Sequence, residues 1–389
     1  MPDSLNKIFL NDYHVSHGAK FAPFSGYSMP INYSEGIIKE HLHTRKSVGV
    51  FDVSHMGQIL IPSSEGNCKE LEKIIPLDLS NLKLNNSFYS FILNDRWGII
   101  DDIIISKIII DNSEYFFLVY NASRKNIDEE IFIKKTNNYS ILKDHSLLAI
   151  QGPLSSQVVS NFSNEINKMY FMQIGNFFYN NHSIIISRTG YTGEDGFELS
   201  IPNVIIHEFI NVLMSFTNIL LCGLGCRDTL RLEAGLSLYG NELNEKLTPV
   251  EANLSWAISK SRFVKGGFNG FETILNQSIN GTFQKRIGVK LKNKSILRSH
   301  MKIFNKDKKN IGKITSGGFS PTLKTSIAIA YIDKYFLEKA DKLYCLIRNN
   351  IEEIELTKLP FVKHNYKRLK IWVKKNILKI MNGFIKKVK

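Results

Sequence analysis

The chain has 389 residues, 43% of them apolar and 11% aromatic, enough to bury large cores and a length that suits two or three domains. No window approaches the roughly 20 uninterrupted apolar residues that a membrane span needs, and Met1-Pro2-Asp3-Ser4 lacks a basic region followed by an apolar one; Cys68, Cys222, Cys226 and Cys345 are too few for a disulfide framework. The net charge of +14 invites a nucleic-acid partner, but Lys, Ile and Asn are enriched together throughout and no basic patch interleaves with stacking aromatics, so that partner is set aside while a polyanionic small ligand stays compatible.

Residues 35–48 carry Ile37, Ile38, Leu42 and Val48 among charges and predict a helix, and Val50 to Ile61 predicts a strand. Strands are expected at Phe88–Leu93, Ile99–Ile110 and Tyr115–Val119, the first two divided by the turn Asn94-Asp95-Arg96-Trp97-Gly98. Ser123 is placed to cap a helix with Asp128, Glu129 and Glu130 in its early turns. The same grammar returns as strand Leu147–Ile150, a helix from Leu154 and strand Ile184–Ser187, giving two α+β units. A helix is expected from about Arg227, and Thr248-Pro249 reads as a cap and first helical position.

After a boundary near Asn280–Gln284 the texture changes to short β-like pieces at Ile287–Leu291, Lys302–Phe304, Ile311–Thr315, Ile327–Ile332 and Leu343–Ile347, a small all-β domain. The expected organisation is thus residues 1–280, 281–370 and a tail, 371–389. In the tail Val373, Ile377, Ile380, Phe384 and Val388 recur at helical spacing among lysines, which suits packing on the protein itself, a membrane surface or a partner.

Five segments could carry chemistry. Residues 188–198, Arg-Thr-Gly-Tyr-Thr-Gly-Glu-Asp-Gly-Phe-Glu, interleave three glycines with Glu194, Asp195 and Glu198, fitting either a solvated hairpin turn or a small-molecule pocket with acidic acceptors. Residues 51–58 combine Asp52, Ser54, His55 and Met56; His55 fits a buried structural histidine or a base. Asp101 and Asp102 open an isoleucine run and must point to opposite faces of a strand, so one can be solvated while the other meets a cleft. Residues 226–235 bring Arg227 and Arg231 to one helix face, and residues 248–256 end on Trp256. No nucleophilic triad, phosphate loop or metal-ligand cluster is evident, so the pocket would position and polarise ligands more than attack them.

Taken together, His17–Lys20, Pro23–Pro30, Phe51–Gln58, Gly98–Asp102, Gly190–Glu198, Arg227–Gly235, Tyr239–Asn241, Thr248–Trp256, Thr315–Gly317 and Ser320-Pro321 resemble, in order, the aminomethyltransferase family, the T-proteins of the glycine cleavage system. The resemblance runs from about residue 9 to about 366 and leaves out the tail. It implies an α+β fold of two interleaved, ferredoxin-like folate-binding units and a C-terminal β-barrel or jelly roll, arranged as a three-lobed ring around a channel for a lipoyl arm. The reaction it implies moves the carbon of the aminomethyl group on the dihydrolipoyl arm of H-protein to tetrahydrofolate, releasing ammonia. Asp102 matches the family's catalytic aspartate and Glu198 its pterin-binding glutamate, beside glycines that would let the ligand approach the backbone. Glu194 and Asp195 are left as turn-forming acids. Arg227 matches a folate-contacting arginine, Tyr89, Met56 and Trp256 match pocket walls, and Asn121 and Tyr366 match neighbouring contacts. The nucleophile then belongs to tetrahydrofolate, a co-substrate, with no metal.

The implied partners are lipoylated H-protein, glycine decarboxylase and dihydrolipoyl dehydrogenase, around a monomer in the cytoplasm of a bacterium or in the mitochondrial matrix of a eukaryote. Two departures stand out: Trp97 precedes Gly98 where Gly-Gly is usual, and Tyr27 stands for Trp. Relatives of the same fold demethylate dimethylsulfoniopropionate or serve sarcosine and dimethylglycine dehydrogenases. Others assist Fe–S assembly without catalysis and carry a Lys-Gly-Cys-Tyr-like motif that this sequence lacks.

Overall fold

The computed structural model describes residues 5–369, apart from 294, 340, 341 and 349. The tail expected as a basic helix at 371–389 lies outside the described residues. The chain opens with β1 (Asn6–Lys7), β2 (Lys20–Phe24) and β3 (Tyr27–Asn32), a small sheet, then the helix Gly36–Lys46.

Next come β4 (Val48–Asp52) and β5 (Gly57–Pro62), where one strand was expected. The run breaks because the Asp52 carboxylate accepts the Ser54 N–H at 2.9 Å and the Val53 carbonyl that of Met56 at 3.0 Å, a turn that Asx side chains favour. The two halves then join different sheets. β6 (Asn86–Leu93), β7 (Ile99–Ile110) and β8 (Ser113–Tyr120) form a meander, completed by β5 and β9 (Ser140–Ile141) in the order β6-β7-β8-β5-β9. β10 (His145–Gln151), β11 (Ile174–Tyr179), β12 (His182–Ser187), β13 (Gly196–Pro202) and β14 (Ile219–Leu221) take β4 into a second sheet, β11-β12-β13-β10-β4-β14. The two α+β units are therefore interleaved along the sequence.

The helix that Ser123 was expected to cap runs Lys125–Lys135, with Arg124 at its N-cap and no side-chain cap bond. The helix expected from Arg227 starts earlier, at Leu224, where the Gly223 N–H donates to Glu40 Oε2 at 2.9 Å. Thr248 and Glu251 make the reciprocal bonds of a capping box, yet only a turn follows, ending at Asn253 with φ of 56°.

The C-terminal strands β15 (Gln284–Leu291), β16 (Lys302–Phe304), β17 (Asn310–Ser320), β18 (Thr325–Asp333), β19 (Leu343–Ile347) and β20 (Asn350–Thr357) close into a barrel in the order β15-β18-β17-β16-β19-β20. Val289, Ile303, Ile314, Ala328, Ala330, Ile332 and Ile354 fill it. β20, absent from the expected set, hides among Glu352, Glu353 and Glu355, and Ile354 alone of its side chains reaches the core.

Glu233, at the end of the Leu224–Glu233 helix and wholly buried, joins barrel to α+β body. It accepts from the Ser320 hydroxyl at 2.5 Å and the Thr322 hydroxyl at 2.7 Å on the barrel, and pairs with Arg45 at 2.8 Å and His41 at 3.1 Å on the Gly36–Lys46 helix. Burial pushes this carboxyl up, but the His41 hydrogen bond and charge, with Ser320 and Arg45, hold it down at about 2, below the ordinary 4.5. A folded value below the unfolded one means stability that is present above about pH 4.5 and lost as pH falls through about 2. Glu233→Gln should lower unfolding free energy by ~3 kcal/mol or more at neutral pH. In urea titrations the difference from wild type should shrink between pH 4.5 and 2; a constant difference would contradict ion pairing as its source.

Candidate active site

Alternation along β7 puts Ile99, Asp101, Ile103 and Ile105 on the buried face, so Asp101 is sealed in the core and Asp102 lies on the opposite face, half-buried. The expectation that one of the two acids is solvated fails: Asp101 is 0% exposed. It is tolerated because Asn121, just after β8, gives it the backbone N–H at 2.9 Å and the side-chain amide at 2.9 Å. The same Asn121 amide reaches Asp102 Oδ1 at 2.9 Å, and the Tyr89 hydroxyl donates to Asp102 Oδ2 at 3.0 Å. Tyr89 in turn stacks on Trp256, with centroids 5.5 Å apart and 23° between planes. Trp256 leaves its other surface open, 69% exposed. Burial, then the charge of Asp101, raises the Asp102 carboxyl to about 7.

The turn that delivers β7 is unusual. Asn94 Oδ1 accepts the backbone N–H groups of Arg96, Trp97 and Gly98 at 3.1, 2.9 and 2.8 Å, and Trp97 adopts φ of 139°. At Gly98 a Cβ would lie 1.8 Å from the Glu245 carbonyl oxygen.

Glu198 lies on β13, with the Thr189 hydroxyl donating to its Oε2 at 2.6 Å. Arg227, near the start of the Leu224–Glu233 helix, lies over the Tyr191 ring at 4.7 Å. Its buried Nη1 has no hydrogen-bond partner among the described residues. Burial pulls Arg227 below its ordinary value, and the charges of Glu198 and the Tyr191 phenol oppose that pull. Tyr366, on the C-terminal segment, stacks on Phe171 with centroids 3.9 Å apart; burial pushes its phenol up to about 12, and the Glu198 charge adds to this. Met56 packs with Val119 beside buried Leu230. Next to it His55 is enclosed by the rings of Phe24 and Tyr27, its Nδ1 unpartnered among the described residues, and burial plus the Arg227 charge lower it to about 3. His55 is thus a buried, neutral imidazole and a weak base.

Two readings of the Gly-rich turn are corrected. Glu194 and Asp195 are not merely turn-forming acids: Glu194 is buried and pairs with Arg45 at 2.9 Å, and Asp195 holds buried Arg188, with Arg188 Nε donating at 3.0 Å. Nor do Gly190 and Gly196 clear space for a ligand. A Cβ at either would strike the Gln151 amide, at 1.9 and 2.4 Å, so they admit that side chain, while Gly193 supplies the turn with φ of 80°. Residues that the sequence did not single out as site residues, Tyr191, Gln151 and Asp128, also belong here; Asp128, expected only among the acids in the early turns of its helix, is 0% exposed.

Glu40, Cys222 and Cys226 present ligand-type atoms within 4.8 Å of one another. Both Glu40 oxygens are already taken, by the backbone N–H of Tyr33 at 2.6 Å and of Gly223 at 2.9 Å, and burial drives the Cys226 thiol far up, so the group acts as a helix-start anchor.

The fold defines an α+β protein with an appended, closed C-terminal β-barrel. Comparison with known proteins agrees on the class and sharpens it. The GCVT N-terminal domain family matches residues 10–262 and the glycine cleavage T-protein C-terminal barrel domain residues 284–363. A mitochondrial aminomethyltransferase of Flaveria anomala is 38% identical over 93% of this chain and 91% of its own, and that of Saccharomyces cerevisiae 40% over 93% and 96%. The crystal structure of glycine cleavage system aminomethyltransferase T from Bartonella henselae superposes with a TM-score of 0.88 at 33% identity, covering 94% of this chain and all of that one. The chain belongs to the aminomethyltransferase family, the T-proteins of the glycine cleavage system, and is a transferase.

Because Asp102 is raised in the folded state, its contribution to stability is fully present below the ordinary 3.8 and is lost as pH rises through about 7. Asp102→Asn keeps the shape and removes that loss. The variant should melt ~2–6 °C above wild type at neutral and higher pH and show no gain near pH 4; calorimetry across this window checks it, and an equal gain at both ends would contradict the assignment.

Proposed function

We propose that the enzyme transfers the methylene carbon of the aminomethyl group carried on the dihydrolipoyl sulfur of H-protein to tetrahydrofolate, giving 5,10-methylenetetrahydrofolate. Of the two folate N–H protons released, one goes to the departing ammonia and one to the lipoyl thiol. The observation that carries this reading is the Asp102 carboxyl, held by Tyr89 and Asn121 beside the Tyr89–Trp256 stack and raised to about 7.

Tetrahydrofolate supplies the nucleophile, N5. Glu198, oriented by Thr189, accepts adjacent pterin N–H groups as a bidentate fork. Arg227, with a free N–H on Nη1, contacts the folate and its surroundings, and Tyr366 packs beyond Glu198. Tyr89, Trp256 and Met56 form the walls. Asp102 takes or relays the proton at N10 and supports the positive charge that develops on the transferred carbon, while Asn121 and Tyr89 fix its orientation.

The partner read from this reaction is lipoylated H-protein, serving with the decarboxylase and dihydrolipoyl dehydrogenase components. The names of the curated relatives favour a mitochondrial setting over the bacterial cytoplasm.

The test is incubation with aminomethylated H-protein and tetrahydrofolate. Ammonia release is expected, and its absence together with methyl transfer from a sulfonium donor would replace this function with a demethylase. In the same assay Asp102→Asn should keep folate affinity within severalfold and lose about 10²–10⁴-fold in turnover; near-normal turnover would remove Asp102 from the role given it.

A further inference from the structure

Asp128 lies in the first turn of the Lys125–Lys135 helix, 0% exposed, and neither of its carboxyl oxygens has a hydrogen-bond partner among the described residues. Its neighbours explain why. Asn121 gives its backbone N–H and its side-chain amide to Asp101, and shares that amide with Asp102, whose other oxygen takes the Tyr89 hydroxyl. Donors are thus supplied to two carboxylates and to neither oxygen of the third.

Asp128 stands within hydrogen-bonding reach of Asp101. The nearby cation, Arg124, commits Nη2 to Glu245 at 2.5 Å and lies over the Tyr239 ring at 5.1 Å; its buried Nε has no hydrogen-bond partner among the described residues and gives none to Asp128, so its charge opposes the upward pull on that carboxyl without satisfying it. On the side of β8 the Tyr120 hydroxyl donates to Glu129 at 3.0 Å, not to Asp128. An ionised carboxylate buried without a donor is costly enough that it takes up a proton instead. A protonated carboxyl is itself a donor, and the acceptor in reach is Asp101.

We propose that Asp128 is a positioning residue that carries a standing proton and donates it as a hydrogen bond to Asp101, so that Asp101 stays ionised and Asp102 is the member of the cluster that exchanges its proton with the ligand. Electrostatics are consistent: burial first, then the Asp101 charge, lifts Asp128 to about 10, well above Asp102. No proton is gained or lost overall at Asp128 during turnover.

The inference rests on the proton role of Asp102 in the proposed function, and its first test does not need turnover. Infrared difference spectra of the full chain at about pH 8.5, above Asp102 and below Asp128, should show a protonated-carboxyl band in wild type that is lost in Asp128→Asn. The absence of such a band overturns the proposal even if aminomethyl transfer is fully active. The second test is the acid limb of the kcat profile. Asp128→Asn keeps an N–H donor toward Asp101 and should leave the limb in place. Asp128→Ala removes it, so Asp101 takes the proton, Asp102 loses a neighbouring charge, and the limb should move about one unit lower. Equal movement of the limb in both variants would mark Asp128 as merely structural and sink the proposal; should the alanine variant not fold, the infrared comparison decides.

Discussion

Much of the architecture hangs on one buried carboxylate with four side-chain donors. Glu233 could not be ionised in a dry interior without them, and the donors come from two separate bodies: His41 and Arg45 from the Gly36–Lys46 helix, Ser320 and Thr322 from the barrel. Satisfying that charge fixes how the barrel sits on the α+β body. Arg45 carries the constraint onward, because it also donates to the Thr192 carbonyl at 2.8 Å and pairs with Glu194 at 2.9 Å in the Gly-rich turn. Glu194 then accepts from Asn365, next to Tyr366, at 2.9 Å. The acids that precede Glu198 in sequence are thus the connection between the Gly-rich turn before β13 and the C-terminal segment, and the candidate site inherits its geometry from packing some distance away.

What could be read from the sequence follows from which forces act locally. The β6, β7 and β8 strands and β19 were legible because their apolar and β-branched runs are bounded by turn residues, and β7 and β19 were placed residue for residue. The division of β4 from β5 was not, since apolar character continues across it and the break depends on an Asp52 side chain that must choose between sheet and turn. β20 was hidden by its glutamates, which ion pairs such as Glu353 with Lys292 at 2.8 Å hold at the surface. In the site, residue chemistry alone left Asp102, Glu198 and Trp256 between scaffold and ligand roles and the family resemblance chose among them; the structure joins Asp102 to Tyr89 and Asn121 by hydrogen bonds and Tyr89 to Trp256 by stacking. Asp128 escaped notice because Asp-Glu-Glu in a helix reads as a solvated face, and only the third dimension shows that its first member turns inward.

The carboxylates at the end of β7 set the chemical character of the site. Two neighbouring acids on one strand cannot both be comfortable when one is in the core, and Asn121 resolves the conflict by serving both with one side chain. That economy leaves Asp102 less well stabilised as an anion than a surface aspartate, as the proton role proposed for it requires. The imidazole of His55, enclosed by Phe24 and Tyr27, is driven the other way, to about 3.

Trp97 shows how the entry to this strand is held. Its φ of 139° lies in a region natural to glycine, and the family's usual residue there is glycine. The conformation persists because three consecutive N–H groups converge on Asn94 Oδ1, a set of bonds that a relaxed backbone would break. It persists also because Gly270 leaves room: a Cβ there would come within 2.4 Å of the Trp97 Cα. In return the indole packs among Phe263 and Phe271 against buried Phe268, apolar area that glycine would not bury. The substitution therefore exchanges backbone ease for side-chain packing. It leaves the path of the chain into Asp101 and Asp102 fixed by the same Asn94 bonds, which is why a tryptophan can stand in a glycine's conformation at the entry to β7.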